Sequence, residues 1–401
     1  MDGADSPVVS GRWAALRPVI TLGLTQIIGF GTLFYAFGVL VTPMSADLGL
    51  SVPFAYGALS AALLIGSLTA PAAGRLVDRF GARAMMALGS VATAGVFGLL
   101  SLVGGAIGLI AVLSLAEIIA ALVLYDAAFA ALAQIFGQAR ARRAITQMTL
   151  LGGFASTVFW PLTLALVESF GWRVTCGAFA MFHLLICLPL HLSLPRKARG
   201  MTPDPSLPRF PTVAPALQRR AMVLVATGFA VSWTVMSAFS TQWVPALGAL
   251  GLSETAAVAA GALMGPAQVG ARVIEMVLAQ NRHPMVTALI AMGCLAASVV
   301  VLLAGPPGFA TAALFAVLFG IGQGLGTVIR GTVPLALFGP HGYAERLGRL
   351  ASLRQLVGAL SPFAMAGALA LFGPSVTLVL AGALALLAWV SFWSVPWRVR
   401  A

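Results

Sequence analysis

The sequence predicts an all-α membrane protein of twelve transmembrane helices in two pseudo-symmetric six-helix bundles. Three observations carry that prediction. The 401 residues are 60% hydrophobic and 8% charged, with a mean hydropathy of +1.00. An ordinary soluble domain is about 45–50% apolar and about 25% charged. The apolar residues also form long uncharged blocks, such as 48–74 and 84–116. About 20 apolar residues cross the hydrocarbon core as a helix. Finally, the pattern breaks once, at 195–220, where Pro195, Pro203, Pro205, Pro208, Pro211 and Pro215 are interleaved with basic residues. Proline at that density stops a helix and reads as an extended linker. Barrel strands would alternate in polarity over short segments, and this chain does not.

Charges and Gly/Pro breaks place the helices. The first two are expected at 18–41 and 52–73. The third and fourth, 84–103 and 107–135, share one uncharged block divided at Gly104-Gly105. The fifth and sixth follow at 144–167 and 172–194. Beyond the linker come 221–245, 253–279, 285–304, 309–338, 350–372 and 376–393. Gly305-Pro306-Pro307-Gly308 and Gly373-Pro374 mark tight turns. The expected organisation is therefore a tail (1–17), an N-terminal bundle (18–194), the linker (195–220), a C-terminal bundle (221–393) and a second tail (394–401).

The net charge of +12 follows topology. Basic residues outside the apolar runs fall in the tails, in the linker and in alternate loops: Arg75, Arg79 and Arg83, then Arg140, Arg142 and Arg143, then Arg282, Arg346 and Arg349. The opposite loops hold only Arg173. By the positive-inside rule both termini are cytoplasmic, in a cell (inner) membrane. A nucleic-acid partner is not expected. Cys176, Cys187 and Cys294 lie in apolar runs without metal-ligand spacing and read as small buried hydrophobes. No metal or cofactor site is expected. The polar first 17 residues lack the apolar core of a cleavable signal peptide.

The most specific motif is Gly74-Arg75-Leu76-Val77-Asp78-Arg79-Phe80-Gly81-Ala82-Arg83, a charged turn between two apolar runs. The pattern G-x-x-x-D-R-x-G-x-R, placed after the second helix, resembles the signature loop of major facilitator superfamily transporters. Six helices, a basic linker and six helices is also that family's layout, and Gly171-Trp172-Arg173 is a common family pattern at the sixth helix. Three features depart from it. Glu117 stands on the fourth helix in place of an arginine. The fifth helix has Gly152-Gly153 and Pro161 without the antiporter pattern. The second-half loop, Gln280-Asn281-Arg282-His283-Pro284, has no acid. Gly31 through Gly38, with Gly57, resembles the monocarboxylate and oxalate/formate branch.

The resemblance implies a secondary active transporter, symporter or antiporter, with a cytoplasmic gate built on Gly74, Asp78, Arg79, Gly81 and Arg83. It also implies that Gln26, Tyr35, Trp233, Gln268 and Gln323 lie on cavity-lining helices. In the oxalate/formate type, helices eight and eleven present basic residues to the cavity, and here these helices carry Arg272 and Arg354.

Ionisable groups in the bilayer core cost several kcal/mol and mark function or pairing. This chain has Glu117, Asp126, Arg272, Glu275, Arg330 and Arg354. Asp126 is expected to latch to Arg79, with Asp78 alongside. Aligning Pro18 with Met222 carries Asp126 onto Arg330, whose expected partner is Glu275. Arg272 and Glu275 are i,i+3 neighbours and a second possible pair. Three arginines with one nearby acid leave a positive excess, which suits an anion because guanidinium binds carboxylate in bidentate fashion. Arg354 either faces the cavity or snorkels to the cytoplasm, and Arg272 either binds substrate or neutralises Glu275. Glu117 is the proton-coupling candidate, with packing as a protonated acid its alternative. His183 reads as a packed histidine.

The expected function is transport of a small solute, most simply a monocarboxylate-like organic anion, by a monomer exchanging with protons or a second solute. An efflux permease for hydrophobic compounds and a non-transporting transceptor are the alternatives. No convergent catalytic set suggests an enzyme.

Overall fold

A computed structural model of the chain describes residues 12–195, 212–279 and 281–398. The expected tails at 1–11 and 399–401, most of the linker (196–211) and Gln280 lie outside these. The described residues form helices and turns, with no strand among them.

In chain order, α1 (Arg12–Phe30) runs through a π turn (Gly31–Tyr35) into α2 (Phe37–Asp47). There follow α3 (Val52–Phe80), α4 (Ala82–Ser101), α5 (Ala106–Val123), α6 (Tyr125–Gly152) and α7 (Ala155–Phe182). A second π turn (His183–Cys187) leads into α8 (Leu188–Leu192). The later residues form α9 (Pro215–Thr241), α10 (Trp243–Gly248), α11 (Glu254–Gly261) and α12 (Met264–Ile274), then a third π turn (Glu275–Ala279). α13 (Pro284–Ala304), α14 (Phe309–Phe338) and α15 (Tyr343–Trp393) complete the chain.

Local chemistry sets these boundaries. Ser51 accepts from the Phe54 amide at 3.3 Å and caps α3, with Pro53 in its first turn. Ser253 caps α11 in the same way. Gly81, at φ 89°, ends α3 and turns the chain into α4, a left-handed conformation that glycine adopts without penalty.

Among the described residues, ten helical segments are long and apolar enough to cross a membrane. Two of these are far longer than one crossing needs: 140–192, with 53 residues, and 343–393, with 51. Each is divided by a glycine at φ 77°, Gly171 in α7 and Gly373 in α15. α6 breaks similarly at Gly137.

One apolar core draws only on residues 213–395 and another only on 36–179. A third joins the two parts of the chain, packing Val77, Phe129 and Met148 with Leu335, Tyr343 and Leu347.

Two predicted boundaries need correction. The helix expected to begin at 350 starts at Tyr343, and that expected at 144 starts just past Gly137. Both errors came from reading arginines as loop. Arg349 is exposed and Arg346 half-buried on the outer face of the first turns of α15, whereas Arg142 is buried inside the helix packing, where it has partners.

Candidate functional site

The Gly74–Arg83 turn docks on the start of α15. Gly342, the residue before that helix, has φ 61° and supplies no side-chain cap. Asp78 of α3 supplies one from outside, accepting from the Ala344 amide at 3.2 Å and the Glu345 amide at 2.9 Å. A carboxylate at a helix N-terminus meets unsatisfied N–H groups and the positive end of the dipole. Glu345 in turn pairs with Arg349 at 2.7 Å and with Arg75 at 3.5 Å.

Close backbone approach makes this docking possible. A Cβ on Gly74 would collide with the Ala344 carbonyl, and one on Gly348 with the Ala70 carbonyl. Arg79 lies over the Phe80 ring at 5.1 Å, so the expected latch between Arg79 and Asp126 is not formed. Arg83 is half-buried in the first turn of α4. Gln134 of α6 clasps the turn, accepting from the Ala82 amide at 2.9 Å and donating to the Val77 carbonyl at 3.4 Å.

A second clamp has the opposite polarity. Glu275 begins the π turn that ends the α12 helix, and its partner is Arg142 of α6, not Arg330 or Arg272. Arg142 Nη2 lies 2.8 Å from Glu275 Oε1, and Thr146 donates to Oε2 at 2.9 Å. The same guanidinium donates to Thr287 Oγ1 at 3.1 Å and to the carbonyl of Arg282. A cation thus meets the C-terminal end of one helix while Asp78 meets the N-terminal end of another. Burial, and then the nearby Arg142 guanidinium, pushes the His283 imidazole down to about 4. Gln138 adds a further bridge, donating to the Leu335 and Ala336 carbonyls at 3.1 and 3.2 Å.

Asp126 instead faces Arg330, with Oδ1 3.4 Å from Nε. Neither atom has a hydrogen-bond partner among the described residues, so this is a charge pair without the alignment of a bond. Arg330 also lies over the Tyr125 and Phe129 rings at 5.4 and 5.6 Å. A small hollow lined by Ala70, Gly74, Ala121, Asp126, Ala344 and Gly348 adjoins the pair.

Farther from the loop, α12 and α14 carry a ladder of polar contacts. Gln268 donates to Gln323 at 2.6 Å, and Gln323 reaches Ser240 of α9 at 3.5 Å. One turn along, Arg272 donates to the Gly324 carbonyl at 3.2 Å and to Thr327 Oγ1 at 3.4 Å. It also donates to the Thr149 carbonyl of α6 at 3.0 Å. Tyr35 sits beside Ser156 and Trp160 within electrostatic reach of Arg272, and Tyr125 is within reach of both Arg272 and Arg330.

Arg354 differs from the other two arginines. It is 6% exposed, makes no hydrogen bond to the described residues, and lies over the Trp233 ring at 4.6 Å. Asp126 and Arg330 are its charged neighbours.

Two predicted residues sit away from this cluster. Gln26 is 0% exposed and donates to the Val123 carbonyl at 2.8 Å, beside the break at Leu124, where ψ is −170°. Its amide mends a helix break in a buried position, while its Oε1 has no hydrogen-bond partner among the described residues. Glu117 packs against Gly66 of α3, half-buried and without a hydrogen bond or ion pair among the described residues. Sequence reasoning missed Gln134, Gln138, Arg142 and Thr146. Their only common signal was a polar run along one helix, 134–149.

Among the described residues, the hydrogen bonds and ion pairs that join 12–195 to 212–398 run from α3 and α6 to α12, α14, the start of α15 and the turn before α13.

The family model of the major facilitator superfamily matches residues 22–362. No curated protein matches the chain closely enough to count as a relative. Among solved structures, the human organic anion transporter MFSD10 (TETRAN) superposes with a TM-score of 0.74 at 13% identity, over 94% of this chain and 99% of that one. At that identity the likeness concerns the fold. With 22–362 matched, and with its apolar helices and superposable fold, the chain belongs to the major facilitator superfamily and is an integral, multi-pass membrane transporter.

Proposed function

We propose that this transporter moves a small organic anion, monocarboxylate-like in class, by alternating access between bundles 18–194 and 221–393. In this reading the ten long helical segments make twelve crossings, because Gly171 and Gly373 each turn a segment back through the membrane. The basic loops and tails put both termini in the cytoplasm of a cell with the protein in its inner membrane. The turn at Gly74–Arg83 is then cytoplasmic. With that side closed by Asp78 on α15 and by Arg142 on Glu275, the conformation reads as the outward-facing one.

The observation that carries the substrate class is Arg354. A buried guanidinium without a hydrogen-bonded partner is costly, and a carboxylate is the group that would complete it. Arg330 adds positive charge nearby, while Asp126 is the close acid. Arg272 has three of its five donors committed, two to carbonyls and one to a hydroxyl, so it shapes the site and binds inter-bundle backbone, with two N–H groups left for an anion. Tyr35, Gln268 and Gln323 line the same interior. Glu117, an acid without a charge partner among the described residues, is the residue assigned to proton coupling. The solved organic anion transporter of like fold is consistent with this class.

Counterflow in proteoliposomes tests the reading. Protein loaded with one small carboxylate should exchange it for a labelled one, and a panel of organic anions without any exchange would refute the proposal.

A further inference from the structure

Two of the three π turns meet. Thr32, in Gly31–Tyr35, and His183, the first residue of His183–Cys187, are joined by Thr32 Oγ1 and His183 Nε2 at 2.9 Å. The Thr32 hydroxyl already donates to the Ile28 carbonyl at 2.9 Å, so its oxygen accepts the proton of Nε2. That assigns the neutral tautomer with hydrogen on Nε2, and Nδ1 is left as a lone pair without a hydrogen-bond partner. The ring is 1% exposed and stacked on Phe97 at 5.9 Å. Its single hydrogen bond among the described residues therefore goes to a hydroxyl in another helix.

That bond secures an unusual piece of backbone. The Ala36 amide reaches back five residues to the Gly31 carbonyl at 2.9 Å. A π turn holds one residue more than an α turn, so the helix beyond it is rotated by about 100° relative to an unbroken one. Gly31 is required here because a Cβ would strike the Phe159 ring. Tyr35 is the last residue of the turn, and its ring falls 5.8 Å from Trp160, beside Ser156 and within reach of Arg272. Without the extra residue it would point elsewhere.

We propose that His183 is a positioning residue for the substrate site: through Thr32 it holds the π turn that aims the Tyr35 hydroxyl into the interior. The inference rests on the assignment of Tyr35 to the substrate cavity, but the orientation itself is tested without a substrate.

The chain has four tyrosines, Tyr35, Tyr56, Tyr125 and Tyr343. Fluorotyrosine incorporation into the full-length protein gives four fluorine resonances, assigned by single Tyr→Phe variants. Thr32→Val keeps the side-chain volume and removes the acceptor, His183→Leu removes the donor, and His183→Gln keeps one. The expected result is a displaced or broadened Tyr35 resonance in Thr32→Val and His183→Leu, with Tyr56 and Tyr343 in place and the native signal restored in His183→Gln. Thr32→Val decides the matter if His183→Leu does not fold. An unmoved Tyr35 resonance in Thr32→Val overturns the inference, and so does equal displacement of all four. Absence of anion exchange with Tyr35 displaced as expected would count against the transport reading alone.

Discussion

Asp126 and Arg330 stand 3.4 Å apart at positions that become equivalent when Pro18 is aligned with Met222. Equivalent residues of opposite charge, one from each part of the chain, meet each other where the two sets of helices touch. Each neutralises the other, and each stands in the field of Arg354.

The first prediction concerns that pair. Asp126→Asn and Arg330→Gln each leave a partly buried charge uncompensated and should lower stability by about 1–3 kcal/mol, less than the roughly 3–5 kcal/mol of a fully buried pair. The double variant should lose less than the two singles added together. Thermal unfolding of the four proteins in detergent checks it, and strict additivity would reduce the pair to a coincidence of position.

Asp78 is predicted to act through the start of α15. Asp78→Ala leaves the Ala344 and Glu345 amides without an acceptor and should cost about 0.5–2 kcal/mol, the range for a lost N-cap. Asp78→Asn keeps an oxygen and should lose less. The same order should appear in the reactivity of a cysteine placed at Ala70, which becomes more accessible as α3 and α15 part. Equal reactivity in both variants argues for a passive turn.

The clamp between Arg142 and Glu275 should behave as a buried pair. Arg142→Met or Glu275→Gln alone is expected to destabilise by about 3–5 kcal/mol, whereas Arg142→Met with Glu275→Leu should recover much of that loss. Stability measured by chemical denaturation separates these cases. A double variant as unstable as the worse single would mean that Thr146, Thr287 and the Arg282 carbonyl depend on both charges.

Sequence and structure part company mainly over who pairs with whom. The apolar blocks, the proline-rich interruption and the Gly74–Arg83 turn were legible because hydropathy and spacing are local. The ion pairs were not. Asp126 was assigned to Arg79 and Arg330 to Glu275, whereas three-dimensional packing brings Asp126 and Arg330 to each other. Arg142 was read as a loop residue because an arginine at the end of an apolar run looks the same whether it faces solvent or a buried glutamate. Gln26 was read as cavity-lining, but the break at Leu124 frees the Val123 carbonyl and claims its amide. Sequence gave no sign of that break, since 107–135 is continuously apolar apart from Ser114, Glu117, Tyr125, Asp126 and Gln134.

In the proposed function the buried guanidinium of Arg354, unbonded among the described residues, receives the anion. Thermal stabilisation of purified protein by a panel of small carboxylates measures it most directly, compared between the native chain and Arg354→Gln. The expected result is a carboxylate-dependent rise in Tm for the native protein that is abolished in Arg354→Gln, while that variant stays folded and monodisperse. An equal, undiminished rise in Arg354→Gln would contradict it.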